Sequence, residues 1–462
     1  MREWIYESAA AMAAAIRKKE ISAHELVGAA LRRIEDVNPR LNAVVQVCAE
    51  RALEEASLAD QALARGRVFG PLHGVPFTLK DAIETAGVIC TGGTEGRAHY
   101  VPSQDAVVVK RLRDAGAILL GKTNWPELGW AWEADNLIYG RTNNPYDLNL
   151  SPGGSSGGES AIIAAGGSPF GLGSDAGGSV RFPAHCTGIA SIKPTSGRVP
   201  RTGHFPEPGG LLDALWQIGP LARYVEDLAE VLPVISGVDG QDTAIVPVPL
   251  RDSRAIDLRR LRVAFHTDNG IVVPSAEVGA AVRKAAGALA EAGILVEEMR
   301  PVGFEQTYEI YLGLFTADGG AGIESLLKDV GTHRVHPLMQ RVLELQHQGA
   351  KSVAELGVLL GRWDAFRREM LSFMSKYDAL LCPVCSFAGM EHGSTYDRLS
   401  CFSYTMTYNL TGWPAAVVRG GATEKGLPFG VQIVARPWRE DVALAVAQHL
   451  QDALGGWRLP AL

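Results

Sequence analysis

A serine hydroxyl attacks a carbonyl only where a base can take its proton and where donors wait for the negative oxygen that forms. Two stretches of this 462-residue chain hold serines in suitable backbone: Gly153-Gly-Ser-Ser-Gly-Gly158, and Phe170-Gly-Leu-Gly-Ser-Asp-Ala-Gly-Gly-Ser-Val-Arg-Phe-Pro183. Ten of the 26 residues from Gly153 to Gly178 are glycine, so backbone there is expected to approach something closely. The apolar run Ala161 to Ala165 reads as a short helix, with Ser155 and Ser179 on its two flanks. Glycine lets Ala176-Gly-Gly-Ser179 turn consecutive N–H groups inward as a nest able to hold an oxyanion. Acyl transfer is the chemistry that such an arrangement would serve.

Three other motif matches fail on context. Gly116-Ala-Ile-Leu-Leu-Gly-Lys-Thr123 spells a phosphate-binding P-loop, yet its spacer residues are themselves a strand and Pro126 follows too soon for the required helix. Gly154-Ser-Ser-Gly-Gly158 spells the nucleophile elbow of α/β-hydrolases, but turn residues precede it and neither His392 nor His449 is marked as a partner. Cys382-Pro-Val-Cys385 lacks the second pair of a zinc site and ends an apolar strand. The histidines, His204 among them, show no ligand spacing, so no metal site is expected.

What remains resembles the amidase-signature family. Its hallmark is a run like Gly153 to Gly158, followed by one like Gly173-Ser-Asp-Ala-Gly-Gly-Ser-Val-Arg-Phe-Pro183 and by Lys193-Pro-Thr195, with two serines spaced as Ser155 and Ser179 are. Gly74-Val-Pro-Phe-Thr-Leu-Lys-Asp81 looks like the family's lysine strand. Gly121-Lys-Thr-Asn124, Asn144-Pro145, Ile218-Gly-Pro-Leu-Ala-Arg223 and Gly430-Val-Gln-Ile-Val434 extend the likeness across most of the chain.

The resemblance implies an α/β fold: one large domain over residues 1–462, with a central mixed twisted sheet flanked by helices on both faces. It implies Ser179 as nucleophile, Ser155 as a proton-shuttling serine held by a cis peptide bond, and Lys80 as base. The amides of Ala176, Gly177, Gly178 and Ser179 would form the oxyanion hole, supported by Ser156 and by Asp175 and Arg181, whose charge-assisted bond would brace the loop. No cofactor is implied. Trp125-Pro-Glu-Leu-Gly-Trp-Ala-Trp132 falls where fatty-acid-amide hydrolases of the family line the acyl side of their pocket, and Glu159 is similar to that branch. Gly129, Trp130 and Trp132 are therefore the expected substrate contacts, and an apolar or aromatic acyl group on an amide, carbamate, aryl amide or ester is the expected substrate. A second branch, the glutaminase subunit of a tRNA-dependent amidotransferase, shares this core but works with a protein partner.

A lysine acts as base only when neutral, and burial disfavours its ammonium form. Lowering an ordinary value of about 10.4 to between 7 and 8 takes roughly 4 kcal/mol. Alternation along Val75 to Lys80 puts Val75, Phe77 and Leu79 on one face and Thr78 and Lys80 on the other, so Lys80 can point at the serines.

Surrounding elements must hold these groups. Ser22-Ala-His-Glu25 is a capping box opening an amphipathic helix with Leu26, Ala29, Ala30 and Ile34 on one face; with the Ala-rich stretch of residues 1–16 it predicts two helices within residues 1–40. Short apolar runs (Leu41 to Val47, Val75 to Leu79, Ala117 to Leu120) then alternate with helical patterns (Glu50 to Leu63, Asp105 to Ala115), giving a catalytic core over about 60–235. After a long connection from Gly237 to Arg260, the run Leu261 to Phe265 and a helix near Val278 to Ala292 resume the pattern. Residues 304–374 read as a helical excursion on the substrate side, before a strand at Ala379 to Leu381 and a final strand and helix from Phe429 that return to the sheet.

Composition narrows the partners. With 47% hydrophobic and 21% charged residues the chain can bury a large core. A net charge of -7 with scattered Lys and Arg leaves no footprint for nucleic acid or anionic membrane, and no apolar stretch reaches the length of a membrane span. Six irregularly spaced cysteines read as free thiols of a reducing compartment, the cytoplasm. A small-molecule enzyme working alone or as a homodimer is expected.

Overall fold

The computed structural model describes residues 3–462, so the first two positions of the expected N-terminal helix lie outside the described residues. Ser8 caps the helix Ala9–Arg17 by accepting from Ala11 N–H, and Ser22 and Glu25 form the capping box of Ala23–Leu41. Leu26, Ala30 and Ile34 of that helix are buried against the core.

Thirteen strands follow among the described residues: β1 (Val44–Val47), β2 (Pro76–Lys80), β3 (Ile118–Thr123), β4 (Leu150–Ser151), β5 (Phe170–Asp175), β6 (Ala190–Lys193), β7 (Gln217–Ala222), β8 (Arg262–Phe265), β9 (Leu295–Glu298), β10 (Ala379–Pro383), β11 (Met390–Glu391), β12 (Ala415–Ala422) and β13 (Pro428–Ala435). β4 pairs with β11, and the other eleven form one sheet in the order β1-β3-β2-β5-β7-β6-β12-β13-β10-β8-β9. The sheet is mixed: β2 runs parallel to β3 and β5, whereas β5, β7, β6, β12, β13 and β10 are successively antiparallel.

Alternate side chains of the central strands enter different cores, as period-two geometry requires. Leu381 and Ile433 pack with helical Val282, Leu289 and Leu450, while Leu380, Cys382 and Val434 pack with Phe182, Phe366 and Met406 from other helices. Helices therefore cover both faces of one large mixed sheet. Residues 304–374 form the helices Thr307–Phe315, Ala321–Asp329, Pro337–Gly349 and Val353–Met374.

Seven strands escape the sequence pattern: β4, β5, β6, β7, β9, β11 and β12. β5 reads Phe-Gly-Leu-Gly-Ser-Asp, with glycine where β-branched residues usually signal a strand, and β12 precedes the expected final strand. The P-loop look-alike is strand β3, buried throughout; Lys122 lies 3.6 Å from Asp81 and donates to the Ile83 carbonyl. Cys382 and Cys385 are buried free thiols at the end of β10. Among the described residues no helix is long and apolar enough to cross a membrane.

Candidate active site

Neighbouring parallel strands bring the first groups together. Lys80 closes β2, Ser174 lies near the end of β5, and Leu79 is in register with Leu172. Lys80 is fully buried, with Nζ 2.7 Å from Ser155 Oγ, 3.1 Å from Ser174 Oγ and 3.5 Å from the Ser174 carbonyl. The Gly154-Ser155 peptide bond is cis. Ser155 precedes the helix Gly157–Ala164 and Ser179 precedes Arg181–Thr187; Ser156 ties the two loops by donating its N–H to the Ser179 carbonyl at 3.1 Å. Ser155 and Ser179 border one cavity. Glycine permits this closeness: a Cβ at Gly154 would strike the Glu133 backbone, one at Gly158 the Asn124 backbone, and one at Gly173 the Ser156 side chain.

Burial sets the charges. It pulls Lys80 down to about 7, with only partial opposition from Asp175 and Glu159. Burial also pushes Glu159 up to about 8, against its hydrogen bonds with Thr78 and Thr123. Asp175 behaves oppositely. Although burial opposes ionisation, the Arg181 guanidinium grips its carboxylate with two bonds of 2.9 Å and Asn409 adds another, holding it well below the usual carboxylate range. The ionised carboxylate near Lys80 is thus already committed to Arg181.

The same net orients the loop after β5. Gly178 donates its N–H to Asp175 Oδ1 at 2.8 Å, which corrects the expectation that all four amides from Ala176 to Ser179 face an oxyanion. The carbonyls of Asp175 and Ala176 accept from Asn409 (3.2 Å) and Tyr311 (3.1 Å), while that of Gly177 accepts from Trp132 (3.0 Å) and Thr405 (2.7 Å). C=O and N–H point oppositely across a trans peptide, so these bonds turn the Ala176 and Gly177 amides away from their carbonyls' partners. The amides of Ala176, Gly177 and Ser179 have no protein acceptor among the described residues, and all three residues border the cavity.

The cavity measures about 320 Å³, and its walls include Trp125, Leu128, Trp130, Leu212, Tyr311, Phe315 and Leu326. Trp130 packs edge-on to Phe315 at 4.8 Å. Gly129 has φ 82°, and a Cβ there would sit 2.7 Å from the Trp125 ring. Trp132 borders the cavity but gives its indole N–H to the loop and stacks on Phe402 at 4.6 Å, so it braces the loop as much as it walls the pocket. No Lys or Arg among the described residues lines the cavity. Sequence reasoning missed Ser174, Tyr311, Thr405 and Asn409, and set aside His204, whose Nε2 lies 2.9 Å from Ser174 Oγ inside the cavity. Ser174 sits inside the hallmark run beside Asp175, a signal that could have marked it, whereas tertiary packing alone collects the others.

Residues 25–444 match the family model Amidase. An Acylamidase of Rhodococcus erythropolis is 35% identical over 97% of this chain and 96% of its own length, and Fatty-acid amide hydrolase 2 of Homo sapiens is 32% identical over 97% and 89%. One subunit of the glutamyl-tRNA(Gln) amidotransferase of Moorella thermoacetica is 34% identical over 98% and 97%. The solved structure of a 6-aminohexanoate cyclic dimer hydrolase is similar at TM-score 0.87, with 31% identity over 97% of both chains. This chain belongs to the amidase-signature family, as a hydrolase acting on amides.

Proposed function

We propose that the chain hydrolyses carboxylic amides carrying an apolar or aromatic acyl group through an acyl-enzyme on Ser179, with Lys80 as base and Ser155 as proton shuttle. The observation that carries this reading is a fully buried lysine amine, which sheds its proton near pH 7, lying 2.7 Å from the Ser155 hydroxyl. Lys80 takes the Ser155 proton as Ser155 takes that of Ser179, and the Ser179 oxygen bonds to the substrate carbonyl carbon. The negative charge on the carbonyl oxygen falls to the amides of Ala176, Gly177 and Ser179, preorganised by the carbonyl bonds described above. Collapse breaks the C–N bond as Ser155 returns a proton to the leaving nitrogen, and water then attacks the acyl-enzyme along the reverse proton path. Aryl amides, carbamates and esters pass through the same kind of oxyanion.

Apolar walls around Trp130 and Phe315 support the acyl preference. A second reading, the glutaminase component of a tRNA-dependent amidotransferase, draws on the similarity to the Moorella thermoacetica protein. A lining without Lys or Arg favours the first reading, because the glutamine α-carboxylate would find no cationic partner there. A fluorophosphonate label with peptide mapping, followed by turnover of anilides, fatty amides, carbamates and glutamine, tests both. We expect the adduct on Ser179 and activity on the apolar amides. Labelling of Ser155 or Ser156 reverses the serine roles, and a clear preference for glutamine selects the second reading.

A further inference from the structure

A neutral lysine amine has two N–H bonds and one lone pair to share among its neighbours. Around Lys80 Nζ these are Ser155 Oγ at 2.7 Å, Ser174 Oγ at 3.1 Å and the Ser174 carbonyl at 3.5 Å. A carbonyl can only accept, whereas either hydroxyl could accept from the amine or donate to its lone pair. Lys80 by itself does not decide which serine faces the lone pair.

His204 decides it. Its Nδ1 lies 3.1 Å from the Pro206 carbonyl, which can only accept, so Nδ1 carries the proton. In a neutral ring Nε2 is then bare, and at 2.9 Å it accepts from Ser174 Oγ–H. Burial, helped by the nearby charges of Lys80, Arg201 and Lys122, brings the His204 imidazolium down to about 3, so the ring is neutral at working pH. Trp216 at 4.6 Å and Trp125 at 6.3 Å hold the ring in place. The charged or titratable groups felt by Lys80 from other elements are Asp175, bound to Arg181, and Glu159.

We propose that His204 is a positioning residue: by accepting the Ser174 hydroxyl proton it makes the Ser174 oxygen a pure acceptor for Lys80 N–H, and so reserves the Lys80 lone pair for Ser155. This rests on the reading of Lys80 as base.

In His204→Phe the Ser174 hydroxyl is free to turn its proton onto Lys80. We expect kcat to fall about tenfold or more, with KM changing by less than about threefold. The acid limb of the pH profile should move down, because a Ser174 oxygen no longer held as a pure acceptor stabilises the ammonium form less. Ser174→Ala removes the competing hydroxyl, so adding His204→Phe to it should cost less than about twofold in kcat. A role in packing alone would cost the same in both backgrounds. In the wild-type enzyme, nitrogen NMR of labelled histidine should report His204 as the neutral Nδ1–H tautomer between about pH 6 and 9.

An unchanged kcat and pH limb in His204→Phe, equal cost in both backgrounds, or an Nε2–H tautomer would overturn the proposal. If His204→Phe does not fold, the tautomer decides. Lys80→Met in the same assay keeps the two readings apart. Turnover in that variant defeats the base assignment, whereas its loss alongside an indifferent His204→Phe defeats only the positioning role.

Discussion

Lys80 stands inside a fold that disfavours its charge, and this makes two measurable demands. Because burial brings its value from 10.5 to about 7, the free enzyme should show kcat/KM rising with pH through an acid limb near 7, as the amine loses its proton. The sign for stability follows. Between about 7 and 10.5 the unfolded chain binds this proton and the folded chain does not, so the lysine makes stability rise with pH across that window; below 7 its penalty is fully present, of the order of 4–5 kcal/mol. Lys80→Met removes that slope. It should fold, gain thermal stability relative to wild type at pH 6 more than at pH 9, and lose amide turnover by about 10²- to 10⁴-fold. Melts at both pH values together with anilide turnover check this; a variant that keeps near-normal turnover would contradict the base assignment. His204 lies beside the same amine without titrating in that range, whereas buried Glu159 and Lys193 titrate near 8 and 7, so loss of the limb from the residual turnover of Lys80→Met is what assigns it to the lysine.

The loop after β5 shows what the sequence made legible and what it hid. Glycine density from Gly153 to Gly178 announced close backbone approach, and the structure identifies the surfaces approached at Gly154, Gly158 and Gly173. The capping box, the lysine strand and the short helix between the serines were also readable, because each signal sits within a few residues. β5 was hidden by its own glycines. β7 was hidden too, since its Gln-Ile-Gly-Pro-Leu-Ala sequence sets Pro220 in mid-sheet opposite Leu172, against ordinary strand preference. The division of the loop's amides could not be read either, because Tyr311, Thr405 and Asn409 arrive from more than 130 residues downstream. Gly177→Ala tests that division. A Cβ there would lie 2.5 Å from Tyr311 Oη and 2.8 Å from Trp132 Cζ2, forcing the loop to shift. We expect kcat to fall about 10²-fold, the cost of losing one oxyanion donor. Tyr311→Phe alone, which frees the Ala176 carbonyl without filling space, should also lower kcat, by less than Gly177→Ala does; an unchanged kcat would mean that the loop is not held as described.

Across the whole molecule the chemistry and the pocket wall come from different parts of the chain. β2, β5 and the serine loops bring the reactive groups, whereas Leu314, Phe315, Ile323 and Leu326 come from the helical excursion, whose Tyr311 alone is tied to the oxyanion loop. The excursion's wall residues other than Tyr311 can therefore change without the reactive groups. Phe315 packs on Trp130 at 4.8 Å and on Tyr311 at 6.0 Å, and no described contact joins it to Lys80, Ser155 or Ser179. Phe315→Ala should enlarge the cavity and shift kcat/KM toward longer or bulkier acyl groups by about tenfold relative to acetyl, the size of effect that a few methylenes produce in an apolar pocket. The acid limb near 7 should stay in place, because the surroundings of Lys80 are untouched. The measurement is an anilide series of rising acyl length, taken across pH for wild type and variant. A shifted limb would mean that the excursion also tunes the amine. An unshifted chain-length preference would mean that the acyl group lies elsewhere, and would move the specificity assignment from the indole and phenyl walls to the leaving-group side of the cavity.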